Sequence, residues 1–102
     1  MSLESILSKQ CVKYARILDV LCWKTVVIGR RGFLDLTLLF PNGHVMFVEL
    51  KNPNGKGVLS ALQTKTINDM RAHNADVHVI DNIQAFSALV QERLNHPAKY
   101  GN

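Results

Sequence analysis

Two carboxylates and one amine set the chemistry open to this sequence. An apolar run, Val45-Met46-Phe47-Val48, leads straight into Glu49-Leu50-Lys51, and Asp35 precedes it on another strand-like run. Between residues 33–40 and 44–50 stands Pro41-Asn42-Gly43, which suits a type I turn followed by a left-handed glycine. A hairpin closed by that three-residue loop sets Phe40 against His44 and Thr37 against Phe47, which brings Asp35 opposite Glu49. Lys51 lies two residues beyond Glu49 and projects from the same strand face.

Cross-strand carboxylates about 5 Å apart repel each other unless they share a proton or a cation. A hard divalent ion that accepts carboxylate and carbonyl oxygens, Mg²⁺ above all, resolves that conflict. With a lysine ammonium beside it, such an ion makes a site for phosphodiester hydrolysis. The metal polarises a non-bridging oxygen and acidifies a water, while the ammonium steadies the nucleophile or the developing charge. No Ser/His/Asp or Cys/His arrangement falls on recognisable elements, and Gly55-Lys56-Gly57 is too short for a phosphate-binding loop, so no nucleotide cofactor is expected. Glu-x-Lys alone is commonplace, and a charged trio at a strand end is otherwise a solvated sheet edge. What distinguishes this one is its place at the end of an apolar strand, with Asp35 set across from it by a turn of defined type.

The elements that must position these residues are legible in the pattern. Leu3, Ile6, Leu7, Cys11, Tyr14, Ile17, Leu18 and Leu21 recur at helical steps behind a capping Ser2, which predicts a helix over residues 3–21. Residues 23–28 read as a strand broken by Gly29-Arg30-Arg31-Gly32. Ser60-Ala61-Leu62-Gln63 has capping-box spacing and opens a helix with Leu62, Thr66 and Met70 inward, ending near His73-Asn74. A short strand over residues 77–80 follows, then a helix capped by Asn82 with Ile83, Phe86, Leu89, Val90 and Leu94 at helical steps. The order α-β-β-β-α-β-α predicts an α/β fold with a central mixed sheet, and because both hairpin faces are apolar, helices should cover both sides. His44 and Trp23 are assigned to packing, and His78, in a short strand, reads as a satisfied structural histidine rather than a ligand.

A chain of 102 residues, 47% hydrophobic and 20% charged, suffices for one core and is read as a single domain over residues 1–102. No unbroken apolar run exceeds four residues, so no membrane span of roughly 18 to 20 residues exists. The N-terminal segment lacks the pattern of a secretory signal, which points to an intracellular, cytoplasmic protein. Cys11 and Cys22, read as flanking one helix, would lie about 16 Å apart, too far for a disulfide. With four scattered histidines and no Cys-x-x-Cys pair there is no zinc-like set, so any metal must be held by oxygen. The net charge of +4 is unevenly placed: residues 1–65 hold nine lysines and arginines against four acids. That imbalance suits an anionic partner such as nucleic acid.

Three blocks in order, Gly32-Phe33-Leu34-Asp35, Val48-Glu49-Leu50-Lys51 and Leu59-Ser60-Ala61-Leu62-Gln63, resemble the Gly-x-Pro-Asp, Glu-x-Lys and Ser-x-x-Gln blocks of the virus-type replication-repair nuclease (VRR-NUC) domain family, part of the PD-(D/E)xK nuclease superfamily. The resemblance implies a restriction-endonuclease-like core. It makes Asp35 and Glu49 metal ligands, with the Leu50 backbone carbonyl a third, and Lys51 the catalytic lysine. Family members also use a glutamate from the first helix. Glu4 is the best match, beside Leu7 and Cys11 at the edge of the buried face, although a carboxylate in a first helical turn is favourable on its own. Gln63 matches the family glutamine, and it equally suits the reciprocal capping bond with Ser60. Leu34 stands where the family usually has proline, a change that leaves the metal ligands untouched. Arg30, Arg31, Lys56 and Lys65 flank the blocks as phosphate contacts or as solvated charges.

The resemblance further implies Mg²⁺ or Mn²⁺ as cofactor, branched DNA as partner and a phage-encoded homodimer that resolves four-way (Holliday) junctions. A flap or single-strand nuclease of the same superfamily, and a catalytically silent DNA-binding module, are the alternatives.

Overall fold

The computed structural model describes residues 2–29, 31–54 and 58–101. Along these the chain forms α1 (Leu3–Ile17), β1 (Leu21–Lys24), β2 (Leu36–Leu39), β3 (Val45–Leu50), α2 (Ala61–Ala72), β4 (Asp76–Ile80), α3 (Ile83–Asn95) and a short α4 (Pro97–Tyr100). The order is the expected α-β-β-β-α-β-α with α4 added. The four strands lie in sequence order in one sheet. β1 pairs antiparallel with β2 and β2 with β3, whereas β3 and β4 run parallel because α2 crosses between them.

The first helix ends earlier than its apolar period suggests. Ser2 Oγ caps it by accepting the Ser5 N–H, and Leu7, Cys11 and Ala15 form its buried stripe. After Ile17 the chain reverses through Asp19, held at φ 61, and the Val20 amide reaches back 2.9 Å to the Ala15 carbonyl. Aspartate is among the few residues that enter the left-handed region at modest cost. Leu21, which continues the helical period in the sequence, thus begins the first strand, which occupies Leu21–Lys24 rather than 23–28.

That reversal also corrects the placing of the cysteines. Cys22 folds back onto α1, so both thiols sit in one core cluster rather than at opposite ends of a helix. Both are free and buried. Burial, reinforced by the nearby Cys22 charge, pushes the Cys11 thiol up to about 12, and burial raises Cys22 to about 11, so neither is a ready nucleophile.

Two apolar layers hold the sheet. On one face Leu7, Cys11 and Ala15 of α1 and Phe86 and Val90 of α3 pack against Cys22, Leu36, Leu38, Met46 and Val48. On the other, Ile67 of α2 packs with Leu34 and Val77, ringed by Phe33, Phe47 and Met70. This second face is covered only in part. α2 lies over β4, leaving Leu21 49% and Trp23 47% exposed on β1, so Trp23 is not the packing residue the sequence suggested. Leu62 is likewise exposed, and Thr66 and Ile67 supply the buried positions of α2.

Candidate active site

The hairpin turn fixes the two acids. Phe40 and His44 close it, Gly43 takes φ 88, and the ladder pairs Thr37 with Phe47 and Leu36 with Val48. One step further along that register Asp35 meets Glu49. The Asp35 carboxylate accepts the Leu50 N–H at 2.8 Å, and its carbonyl accepts the Thr25 N–H at 2.8 Å, tying it to both neighbouring strands. Gly32 sets the approach: at φ +73, a Cβ there would lie 2.7 Å from Leu62 Cγ, so only glycine lets the chain pass this close under α2.

Glu49 is the best buried of the charged groups, at 1% exposure. Its Oε2 accepts the Gln63 side-chain amide at 2.6 Å and lies 3.0 Å from Lys51 Nζ. Its Oε1 is buried with no hydrogen-bond partner among the described residues. Burial raises the carboxyl to about 7; the Lys51 hydrogen bond pulls down, while the neighbouring Asp35 carboxylate pushes up. Among the described residues Lys51 is the cation paired with Glu49, and two adjoining carboxylates meet here, one with an orphaned buried oxygen. That is the surroundings a divalent cation satisfies.

Gln63 does both things its spacing allowed. Ser60 Oγ accepts the Gln63 N–H and Gln63 Oε1 accepts the Ser60 N–H, completing the capping box at the start of α2. The same Oε1 accepts from Lys51 Nζ at 3.2 Å, while Nε2 grips Glu49. The helix start thus clamps the acid and the lysine together, and a rotamer fixed by a cap holds the site's polar geometry.

Glu4 and Leu50 lie on the adjoining cavity, of about 260 Å³, whose walls also include Asp35, Ser5, Ser8 and Lys24. Glu4 is exposed there in the first turn of α1. Among the described residues no three acidic, histidine or cysteine side chains gather tightly enough to hold an ion by themselves. The oxygen donors that could hold a hard cation are the Asp35 and Glu49 carboxylates with the Leu50 carbonyl, and Glu4 shares a cavity wall with Asp35 and Leu50. Lys24 was not singled out by sequence; its place follows from the β1–β2 register, which pairs it with Leu36, next to Asp35.

The other candidate cations stand apart. Arg31 is exposed, and Lys65 lies on the outer side of α2, 2.7 Å from Asp69. Arg30 and Lys56 fall outside the described residues. At the far end of β3 a second polar cluster is structural. Asp76 receives Arg93 through two bonds of 2.6 and 2.8 Å and also meets His44 and His78. Burial alone would raise Asp76, but the hydrogen bonds from His78, Arg93 and His44 hold it far below the usual carboxylate range. His78 is thereby the satisfied, structural histidine expected of it, and His44, assigned to packing, is also bonded to Asp76.

Comparison with known proteins agrees with this fold. A relative from Acyrthosiphon pisum secondary endosymbiont phage 1, described as "Putative nuclease p44", is 38% identical over 53 residues, which is 52% of this chain and 57% of the relative. The chain thus matches little more than half of that relative's length. A solved structure described as a VRR_NUC domain superposes with a TM-score of 0.80 over 89% of this chain and 97% of its own, at 24% identity, and so shares the fold. The family model described as the VRR-NUC domain matches residues 2–82, a span that includes the hairpin acids, Lys51 and the α2 cap. The chain belongs to the VRR-NUC domain family.

Proposed function

We propose that this chain is a divalent-metal-dependent endonuclease that hydrolyses phosphodiester bonds in branched DNA, working as a homodimer on four-way junctions. The observation that carries the reading is the buried Glu49 beside Asp35, with one carboxylate oxygen that has no partner among the described residues. Mg²⁺ or Mn²⁺ held by Asp35, Glu49 and the Leu50 carbonyl supplies positive charge to a phosphate oxygen and lowers the pKa of water.

The chain's own groups do the rest. Lys51 presents its ammonium to the attacking water or the developing phosphorane charge, and Gln63 keeps that ammonium aligned with Glu49. The Leu50 N–H holds Asp35 in one orientation. Glu4, on the wall of the same cavity as Asp35 and Leu50, would serve as a further metal ligand or orient water.

A homodimer has a physical rationale: one such centre cuts one strand, and two-fold symmetry supplies the second cut and doubles the contact area. The phage relative described as a nuclease, and the family itself, support DNA as the substrate. The test is cleavage of synthetic four-way junctions, nicked duplexes and flaps in Mg²⁺, alongside the molecular mass in solution. Paired, symmetric nicks in the junction by a dimer support the reading. Preferred cutting of flaps by a monomer replaces it with the flap-nuclease alternative, and binding without cutting leaves a silent DNA-binding module.

A further inference from the structure

A second, larger cavity of about 700 Å³ runs along the outside of α1 and the edge strand β1, and none of the motif residues lines it. Its cations are Lys9, Lys13 and Arg16 on one side of α1 and Lys24 on β1. Lys9, Lys13 and Lys24 form no ion pair among the described residues, and Arg16 makes only a long 3.4 Å bond to the Cys22 carbonyl. Trp23, the one tryptophan of the chain, also lines the groove and is 47% exposed. Ser8 and Lys24 border both this groove and the cavity of Glu4 and Asp35, so the two adjoin.

We propose that this groove receives one strand opened from its complement at the branch point of the substrate, with phosphates on the α1 cations and Lys24, and a base stacked on Trp23. Four unneutralised cations favour a polyanion and repel a second copy of the same basic groove. Strand alternation puts the indole and Lys24 on opposite sides of the edge strand. A nucleic acid crossing that edge meets charge on one side and an aromatic face on the other, the combination by which single strands are held without sequence readout. Because Lys24 sits where groove and cavity join, the strand in the groove is the continuation of the strand whose phosphate reaches Asp35 and Glu49. This identity of the ligand rests on the nuclease reading; the groove itself does not.

The sole tryptophan makes the test direct. Titrate the intact protein in EDTA with oligothymidylate of about 20 nucleotides, and with a blunt duplex, following tryptophan emission and, separately, the anisotropy of labelled DNA. The expected result is saturable quenching by the single strand but not by the duplex. Its affinity should fall roughly 50-fold from 50 to 200 mM salt, from a slope of about −0.7 for each of four phosphates. The double variant Lys9→Gln/Lys13→Gln, both exposed positions, should keep its circular dichroism and lose about 1.4 units of that slope. Trp23→Phe should retain binding that Trp23→Ala weakens.

Binding without quenching, equal quenching by the blunt duplex, or an unchanged slope in the double variant overturns the proposal. So does quenching that rises with protein concentration alone, which makes the groove a contact between copies. Cleavage in Mg²⁺ is scored apart. Quenching with no cleavage of any DNA removes the nuclease reading and leaves the groove; cleavage without quenching does the reverse.

Discussion

Replacing Glu49 with glutamine should stabilise the metal-free protein while destroying its activity. The folded carboxyl titrates near 7 against an ordinary 4.5, chiefly because it is buried at 1% exposure. A raised folded pKa means the contribution is fully present below pH 4.5 and is lost as pH rises through 7. At 1.36 kcal/mol per unit, ionised Glu49 costs the wild type about 3 kcal/mol at pH 8. Glutamine never ionises. Its carbonyl can keep the Gln63 and Lys51 bonds, and its amide then occupies the place of the orphaned Oε1, beside the Asp35 carboxylate.

The assay is thermal unfolding in EDTA from pH 5 to 8.5. Wild type should lose stability across that range relative to Glu49→Gln, ending about 12–24 °C below it at pH 8, given about 4–8 °C per kcal/mol for a domain of this size. Adding Mg²⁺ should raise the wild type and not the variant, because a ligand at 100 times its Kd contributes about 2.7 kcal/mol. A variant less stable than wild type at pH 8 in EDTA, or equally raised by Mg²⁺, would refute the claim that this carboxylate is held at a cost and relieved by a cation.

Other consequences follow from single contacts. Lys51→Ala should lower cleavage at least ~100-fold while leaving junction affinity within a few-fold in a gel-shift assay, since removing one transition-state donor costs about 10²–10³ in rate. Asp76→Asn strands the 5% exposed Arg93 and should cost about 3–5 kcal/mol in denaturant unfolding, without abolishing cleavage at temperatures where it remains folded. Because the folded Asp76 carboxyl is depressed, its contribution is present above the unfolded value near 4 and is lost as pH falls below it, so wild type and Asp76→Asn should converge in acid. Gly32→Ala places a methyl 2.7 Å from Leu62 at φ +73 and should cost more than ~1 kcal/mol in thermal unfolding while reducing cleavage through the displaced Asp35.

The site was more legible than its frame. Turn chemistry at Pro41-Asn42-Gly43 determines a register, and register determines which side chains face each other, so the Asp35–Glu49 pairing was readable from local sequence. The Ser60/Gln63 cap was equally local, although its reach to Glu49 and Lys51 was not, because it depends on where α2 docks. Helix α1 was overextended because hydrophobic period cannot see a reversal made by Asp19, a residue whose left-handed conformation leaves no mark in an apolar pattern. The misplaced cysteines and first strand both follow from that one residue. Trp23 was misjudged for a different reason: an apolar strand looks the same whether or not a helix covers its face, and here α2 does not extend over β1. The nearness of Lys24 to Asp35 runs through pairing of β1 with β2, elements separated by a long loop whose Gly29-Arg30-Arg31-Gly32 break does not fix a register.

The most direct measurement is an anomalous difference map from crystals soaked in Mn²⁺. The account predicts a peak bridging the Asp35 and Glu49 carboxylates, within coordination distance of the Glu49 oxygen that has no hydrogen-bond partner and of the Leu50 carbonyl. Mn²⁺ bound elsewhere with these two acids unliganded, or acids that stay uncoordinated at saturating Mn²⁺, would contradict it.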